Sequence, residues 1–160
     1  MRETIGRLLR TRGFNRPQAF GLISEAVWWT TMVDATLVRY HPETYGDALD
    51  AKDAAHREII EDTFAGLRFV RNRMGYEADH ADFIQPGPAG PDGQAGLIAS
   101  WTWKPVAQPA LASLPQRGQE WEMSRYRAYQ AQLASHPIGD TFGQAREFLL
   151  FAADRRLTQP

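Results

Sequence analysis

The chain contains no cysteine. That excludes disulfides, zinc–thiolate sites, iron–sulfur clusters and a cysteine nucleophile. Lysine is nearly missing too: of 18 basic residues, all but Lys52 and Lys104 are arginine, a bias of the kind a GC-rich coding sequence produces. Net charge is −1, so no global field draws in nucleic acid or an anionic membrane. No apolar run approaches the roughly 20 residues of a membrane span. The first residues, MRETIGRLLRTRGF, lack the apolar core of a signal peptide. A soluble cytoplasmic protein with no membrane partner is expected. There is no glycine-rich phosphate loop, no nucleophile elbow and no dinucleotide fingerprint, and neither a cofactor nor a metal is assigned.

With 160 residues, 43% of them apolar, the chain reads as one domain, 1–160, able to bury a proper core. Residues 1–16 carry five arginines against Glu3 and form a basic N-terminal arm with a narrow apolar edge. Pro17 suits the first turn of a helix that runs to the next proline, Pro42. On it Phe20, Ile23, Val27, Thr30/Thr31 and Leu37/Val38 recur at helical spacing. Trp28 and Trp29 point about 100° apart and can cover two neighbours. A helix apolar over so wide an arc belongs at a bundle centre or a dimer interface. His41–Asp50 reads as a connection.

The clearest helical pattern spans residues 51–75, where Ile60, Phe64, Leu67 and Met74 share one face. Gly75 is the expected terminator. Residues 86–96, rich in proline and glycine, read as a flexible loop. After it Leu97, Ala99, Trp101 and Trp103 alternate with Ile98, Ser100, Thr102 and Lys104, a strand pattern. No equally good second strand is evident, so this stretch is either paired elsewhere or extended chain packed on the bundle. A helix over 119–135 presents Glu122, Tyr126, Tyr129 and Leu133. His136-Pro137 breaks it, and Asp140 or Thr141 caps a last helix with Phe142, Ala145, Leu149 and Ala152 on its apolar side. The expected fold is all-α: a four- to five-helix bundle with a Gly/Pro-rich loop and one short extended or β segment.

Arg71 falls on the apolar face of the central helix, where a charge is costly unless it is paired or used. The segment around it, LRFVRNRMGY (Leu67 to Tyr76), resembles the signature helix of HEPN domains, all-α modules of bacterial toxins, abortive-infection systems and other defence proteins. Their motif is an arginine, usually followed by a polar residue such as asparagine, then a histidine after a short gap. Arg71-Asn72 matches the pair. At the short spacing the histidine position holds Tyr76; read from Arg73, His80 falls at the long end, with Met74 in place of the polar neighbour.

The resemblance implies a metal-independent ribonuclease in which two motifs meet across a homodimer. Arginine would hold the phosphate as charge develops, and a histidine near neutral pKa would move the proton. Arg71, Asn72, Tyr76 and His80 are the implied catalytic set. RNA is the implied ligand, and an antitoxin or effector subunit the implied protein partner. The alternative is a non-catalytic dimerisation or interaction subunit with a degenerate motif; in that case Arg71 pairs with Glu25, Asp34 or another acid across the bundle.

Two further clusters remain. Asp53-x-x-His56 and Glu77-x-x-His80 echo the carboxylate–His spacing of di-iron bundles, against a solvated charged face (Asp53, His56, Glu58, Glu61, Asp62) at a helix start. Trp101, Trp103, Trp121, Tyr126 and Tyr129 lie near Arg125 and Arg127 and could stack bases, against core and interface packing.

Overall fold

The computed structural model describes residues 16–76, 83–87, 101–108 and 115–158. They form a helical bundle with a short antiparallel sheet on it. In order the elements are α1 (Arg16–Tyr40), α2 (Pro42–Asp50), α3 (Ala54–Tyr76), β1 (Ile84–Pro86), β2 (Trp101–Trp103), α4 (Gln116–Ala128), a five-residue π turn (Tyr129–Leu133) and α5 (Ile138–Thr158). The all-α expectation holds. Residues 1–15 of the basic arm and residues 88–96 of the loop lie outside the described residues, and Arg16, the arm's last residue, begins α1.

α3 is the central element and packs on α1, α4, the π turn and α5. Ile60, Phe64, Leu67, Phe69 and Val70 are buried along it, and Met74 packs against the same core. The helix runs through Gly75 to Tyr76. α1 buries Ala19, Ile23, Ala26, Val27, Thr30, Thr31, Asp34 and Leu37. α5 buries Phe142, Ala145, Leu149 and Ala152, as its spacing requires, together with Phe148.

The segment read as a connection, 42–50, is a helix. Pro42 starts it, Glu43 lies in its first turn, and Thr44 and Ala48 are buried, with Tyr45 and Leu49 packed beside them. These pairs one turn apart are a helical stripe, which the turn-like residues of HPETYGDALD conceal. α2 packs on α5 and α1, with Tyr45 edge-on to Phe148 at 5.3 Å.

The strand's missing partner is β1, in the same chain: Ile84 pairs with Trp103, Gln85 with Thr102 and Pro86 with Trp101. Proline escapes attention as a strand residue because it lacks an N–H, but the end of an edge strand tolerates it. On the other side β2 bridges Ala134 and Pro137. Hydrogen bonds run from Trp103 N–H to the His136 carbonyl at 3.0 Å and from Ser135 N–H to the Trp103 carbonyl at 2.8 Å. Flanked on both sides, β2 buries Thr102 as well as Trp101 and Trp103, so the expected alternation of inward and outward residues is lost. The last helix starts at Ile138 rather than at a cap of Asp140 or Thr141. Thr141 is instead buried and accepts the Trp103 indole N–H at 2.9 Å.

α4 ends in the π turn, where Ala134 N–H bonds the Tyr129 carbonyl at 2.9 Å. Here α3 comes close to its neighbour. A Cβ on Gly66 would stand 2.9 Å from Leu133 Cδ1 and 3.1 Å from Tyr129 Cα. The second contact is backbone and cannot yield by a rotamer change. Gly66→Ala is therefore expected to destabilise the fold by about 1–3 kcal/mol in urea unfolding, although alanine is the better helix former; a gain in stability would show that the two helices can separate freely.

Candidate functional site

The polar centre of the bundle is Asp34. It is wholly buried on α1, where an isolated carboxylate would be prohibitive. Two neighbouring helices supply its partners. Tyr45 Oη of α2 donates to Asp34 Oδ1 at 2.7 Å, and Arg68 Nη2 of α3 donates to Asp34 Oδ2. Burial raises the Asp34 pKa above the ordinary carboxylate range, with the Arg68 charge as the main opposing influence. Burial and then the adjacent Asp34 push the Tyr45 hydroxyl far up, so it stays protonated as a donor. Arg68, at 28% side-chain exposure, links this buried acid to the surface.

One helical turn along α3 stands Arg71, half-buried. Its Nη1 donates to Thr31 Oγ1 at 3.5 Å and its Nη2 to Asn72 Oδ1 at 3.4 Å, both long contacts. Thr31 is oriented in turn by the Val27 carbonyl at 2.9 Å and the Trp28 carbonyl at 3.1 Å. A further turn on, Ser24 Oγ lies 3.5 Å from Met74 Sδ. The α1–α3 seam thus carries Ser24–Met74, Thr31–Arg71 and Asp34–Arg68 in antiparallel register.

Arg73 points the other way. Its Nε is 3.7 Å from Glu122 Oε1, and its guanidinium lies 5.7 Å from the Phe69 ring centre. Glu122 is buried on α4 and also faces Arg125 Nη1 at 3.6 Å. Of the motif residues, Arg71 and Asn72 therefore come together beside α1, while Arg73 is engaged on the α4 side of α3. His80 and the Tyr76 side chain lie outside the described residues.

The sequence placed Asp34 among the partners open to Arg71, yet the ion pair goes to Arg68. Arg68 sits one turn before Arg71 and can be picked out only once the α1–α3 register is known. Tyr45 escaped because its helix was read as a connection.

The other two clusters have structural explanations. Asp53 caps α3: Oδ1 accepts the His56 backbone N–H at 2.9 Å, and Oδ2 lies 2.6 Å from His56 Nδ1. These bonds, the backbone one first, hold the Asp53 pKa low. Among the described residues no three His, Asp or Glu side chains are grouped to hold a metal ion. Glu77 lies outside the described residues. Trp101, Trp103 and Tyr129 are buried, and the Tyr129 hydroxyl donates to the Lys104 carbonyl at 2.5 Å, so they serve the core rather than a base-stacking surface. Trp121 is exposed, with the Arg125 guanidinium 4.9 Å from its ring centre. No helix among the described residues is long and apolar enough to cross a membrane.

Comparison of the chain with protein-family models, curated proteins and solved structures gives no match.

The Asp34 site has a signed pH dependence. Folding raises the Asp34 pKa, so the folded state holds that proton more tightly than the unfolded chain. Its contribution is fully present below about pH 4 and is lost as pH rises through the folded pKa. The stability of wild type relative to Asp34→Asn, from urea unfolding, should therefore fall as pH rises. Arg68→Met should cost about 3 kcal/mol near neutral pH and less in acid, where Asp34 is protonated. A cost that grows in acid would reverse the assignment.

Proposed function

We propose that this chain is a HEPN-like module of a bacterial defence or toxin–antitoxin type system. It works on RNA as a homodimer, with Arg71 and Asn72 meeting the phosphate. The observation that carries the reading is where α3 holds Arg71. It stands half-buried one turn beyond the Asp34–Arg68 pair, with its guanidinium donating to Thr31 and Asn72 and its charge reaching Asp34. A guanidinium held at a surface edge is suited to a phosphate oxygen, to which it can present two parallel N–H groups.

Attack of a ribose 2′-hydroxyl on the adjacent phosphorus expels the 5′-oxygen. A base takes the 2′ proton and an acid returns one to the leaving oxygen, while a fixed cation stabilises the charge that builds on the phosphate. Arg71 supplies the cation. Of the two residues that could replace the motif histidine, His80 is the better base, because an ordinary tyrosine titrates near pH 10. A non-catalytic dimerisation or interaction subunit, binding an antitoxin or effector, is the second reading. The solvent-exposed Trp28 and Trp29 of α1 favour it.

Incubation of the protein with single-stranded RNA in EDTA separates the two. Wild type is expected to cleave. Arg71→Ala is expected to lose on the order of a hundredfold or more while keeping its helical circular dichroism. RNA left intact by wild type would discard the nuclease and leave the interaction subunit.

A further inference from the structure

The outer face of α1 has a pattern that the bundle does not use. Trp28, Trp29, Met32 and Tyr40 are 55%, 46%, 40% and 64% exposed. Glu25, Trp28, Met32, Ala35 and Arg39 follow steps of three, four, three and four, the spacing of a coiled-coil seam. Gly21 extends the row by one turn, with open space where its Cβ would be. From these exposures the aromatics and methionine leave on the order of 450 Å² of apolar side chain in water. That is at the upper end for a monomer's largest patch, and a polar rim would bring it near the roughly 800 Å² per partner of a stable interface.

We infer that this face binds a second copy of the chain, with the two α1 helices antiparallel and Met32 on the twofold axis. The row is self-complementary in that arrangement alone. Antiparallel pairing about Met32 sets Glu25 against Arg39 of the partner subunit, twice by symmetry. It also sets the bulky Trp28 and Trp29 against the small Ala35 and Thr36 of the partner subunit. Parallel pairing would oppose Glu25 to Glu25, Arg39 to Arg39 and Trp28 to Trp28. Glu25 also has an interaction within its own chain, and its charge sits at the rim of the patch in either case. A nucleic acid is a poor occupant, since Glu25 and Arg39 leave the row without net positive charge.

The twofold has a consequence for Arg71, which rests on the functional reading above. An axis perpendicular to α1 reverses the helix direction but keeps its flank, so both α3 helices lie on one side of the pair. Arg71 contacts Thr31, the neighbour of Met32. The two Arg71 side chains therefore border one groove beside the axis, floored by the paired α1 helices.

The test is mass in solution, on the full chain. Light scattering after size exclusion should give twice the 18.1 kDa of the chain. Met32→Glu, at an exposed position, should give the monomer with unchanged circular dichroism. Arg39→Glu should raise the dimer dissociation constant on the order of tenfold, from two lost rim pairs. Met32→Cys introduces the sole thiol in the chain and should form a disulfide-linked dimer on mild oxidation, which requires the two Cα atoms to come within about 7 Å. A monomeric wild type overturns the inference, as does a dimer that survives Met32→Glu and leaves Met32→Cys unlinked. A dimer with these properties that cleaves no RNA upholds the interface and defeats the nuclease reading.

Discussion

A carboxylate with no access to water must find its partners inside the protein, and Asp34 finds them on two other helices. Tyr45 brings α2 to it and Arg68 brings α3. Apolar packing tolerates small slides of one helix along another; a buried acid held by one guanidinium and one hydroxyl does not, because a slide of a residue or two draws it away from both donors. The pair therefore fixes how α1 and α3 lie together. Once Arg68 stands opposite Asp34, Arg71 must stand beside Thr31 and Met74 beside Ser24. The position of the motif arginine follows from the position of its neighbour.

The far side of α3 is fixed by shape. Gly66 lets Tyr129 and Leu133 of the π turn approach closely. Phe69, Phe83 and Tyr129 then close around one another, with ring centres 5.5–5.9 Å apart. The Tyr129 hydroxyl ties this cluster to the chain leaving β2, and Trp103 ties β2 to α5 through Thr141. The small sheet is thus a strap that joins α4 to α5 over the core. Between the Asp34 pair on one flank and the glycine contact on the other, α3 has little freedom.

What was legible in the sequence was whatever has a period. Ile60, Phe64 and Leu67 announced α3; Phe142, Ala145, Leu149 and Ala152 announced α5. α2 was lost because Pro42, Gly46 and three acids outweighed a stripe of Thr44, Tyr45, Ala48 and Leu49 only two turns long. β1 was lost because three residues, one of them proline, make no pattern by themselves. The motif pair Arg71-Asn72 was visible as a local string; what the structure adds is the contact of Arg71 with Thr31 of α1. The partnership of Asp34 with Arg68 was not visible, since ion pairs between helices depend on register, and register is a property of the packed bundle. Gly66 carried a signal: a glycine inside a strong helix costs about 1 kcal/mol against alanine and is kept where a neighbour comes close.

The claim on which the rest depends is that Asp34 and Arg68 act as one unit. A double-mutant cycle tests it, with Asp34→Asn, Arg68→Met and the double variant unfolded in urea at neutral pH. A coupling of about 1–3 kcal/mol is expected, the double variant being more stable than the sum of the single losses allows. Losses that add to within about 0.5 kcal/mol would show that the two side chains act independently, and that something else sets where Arg71 stands.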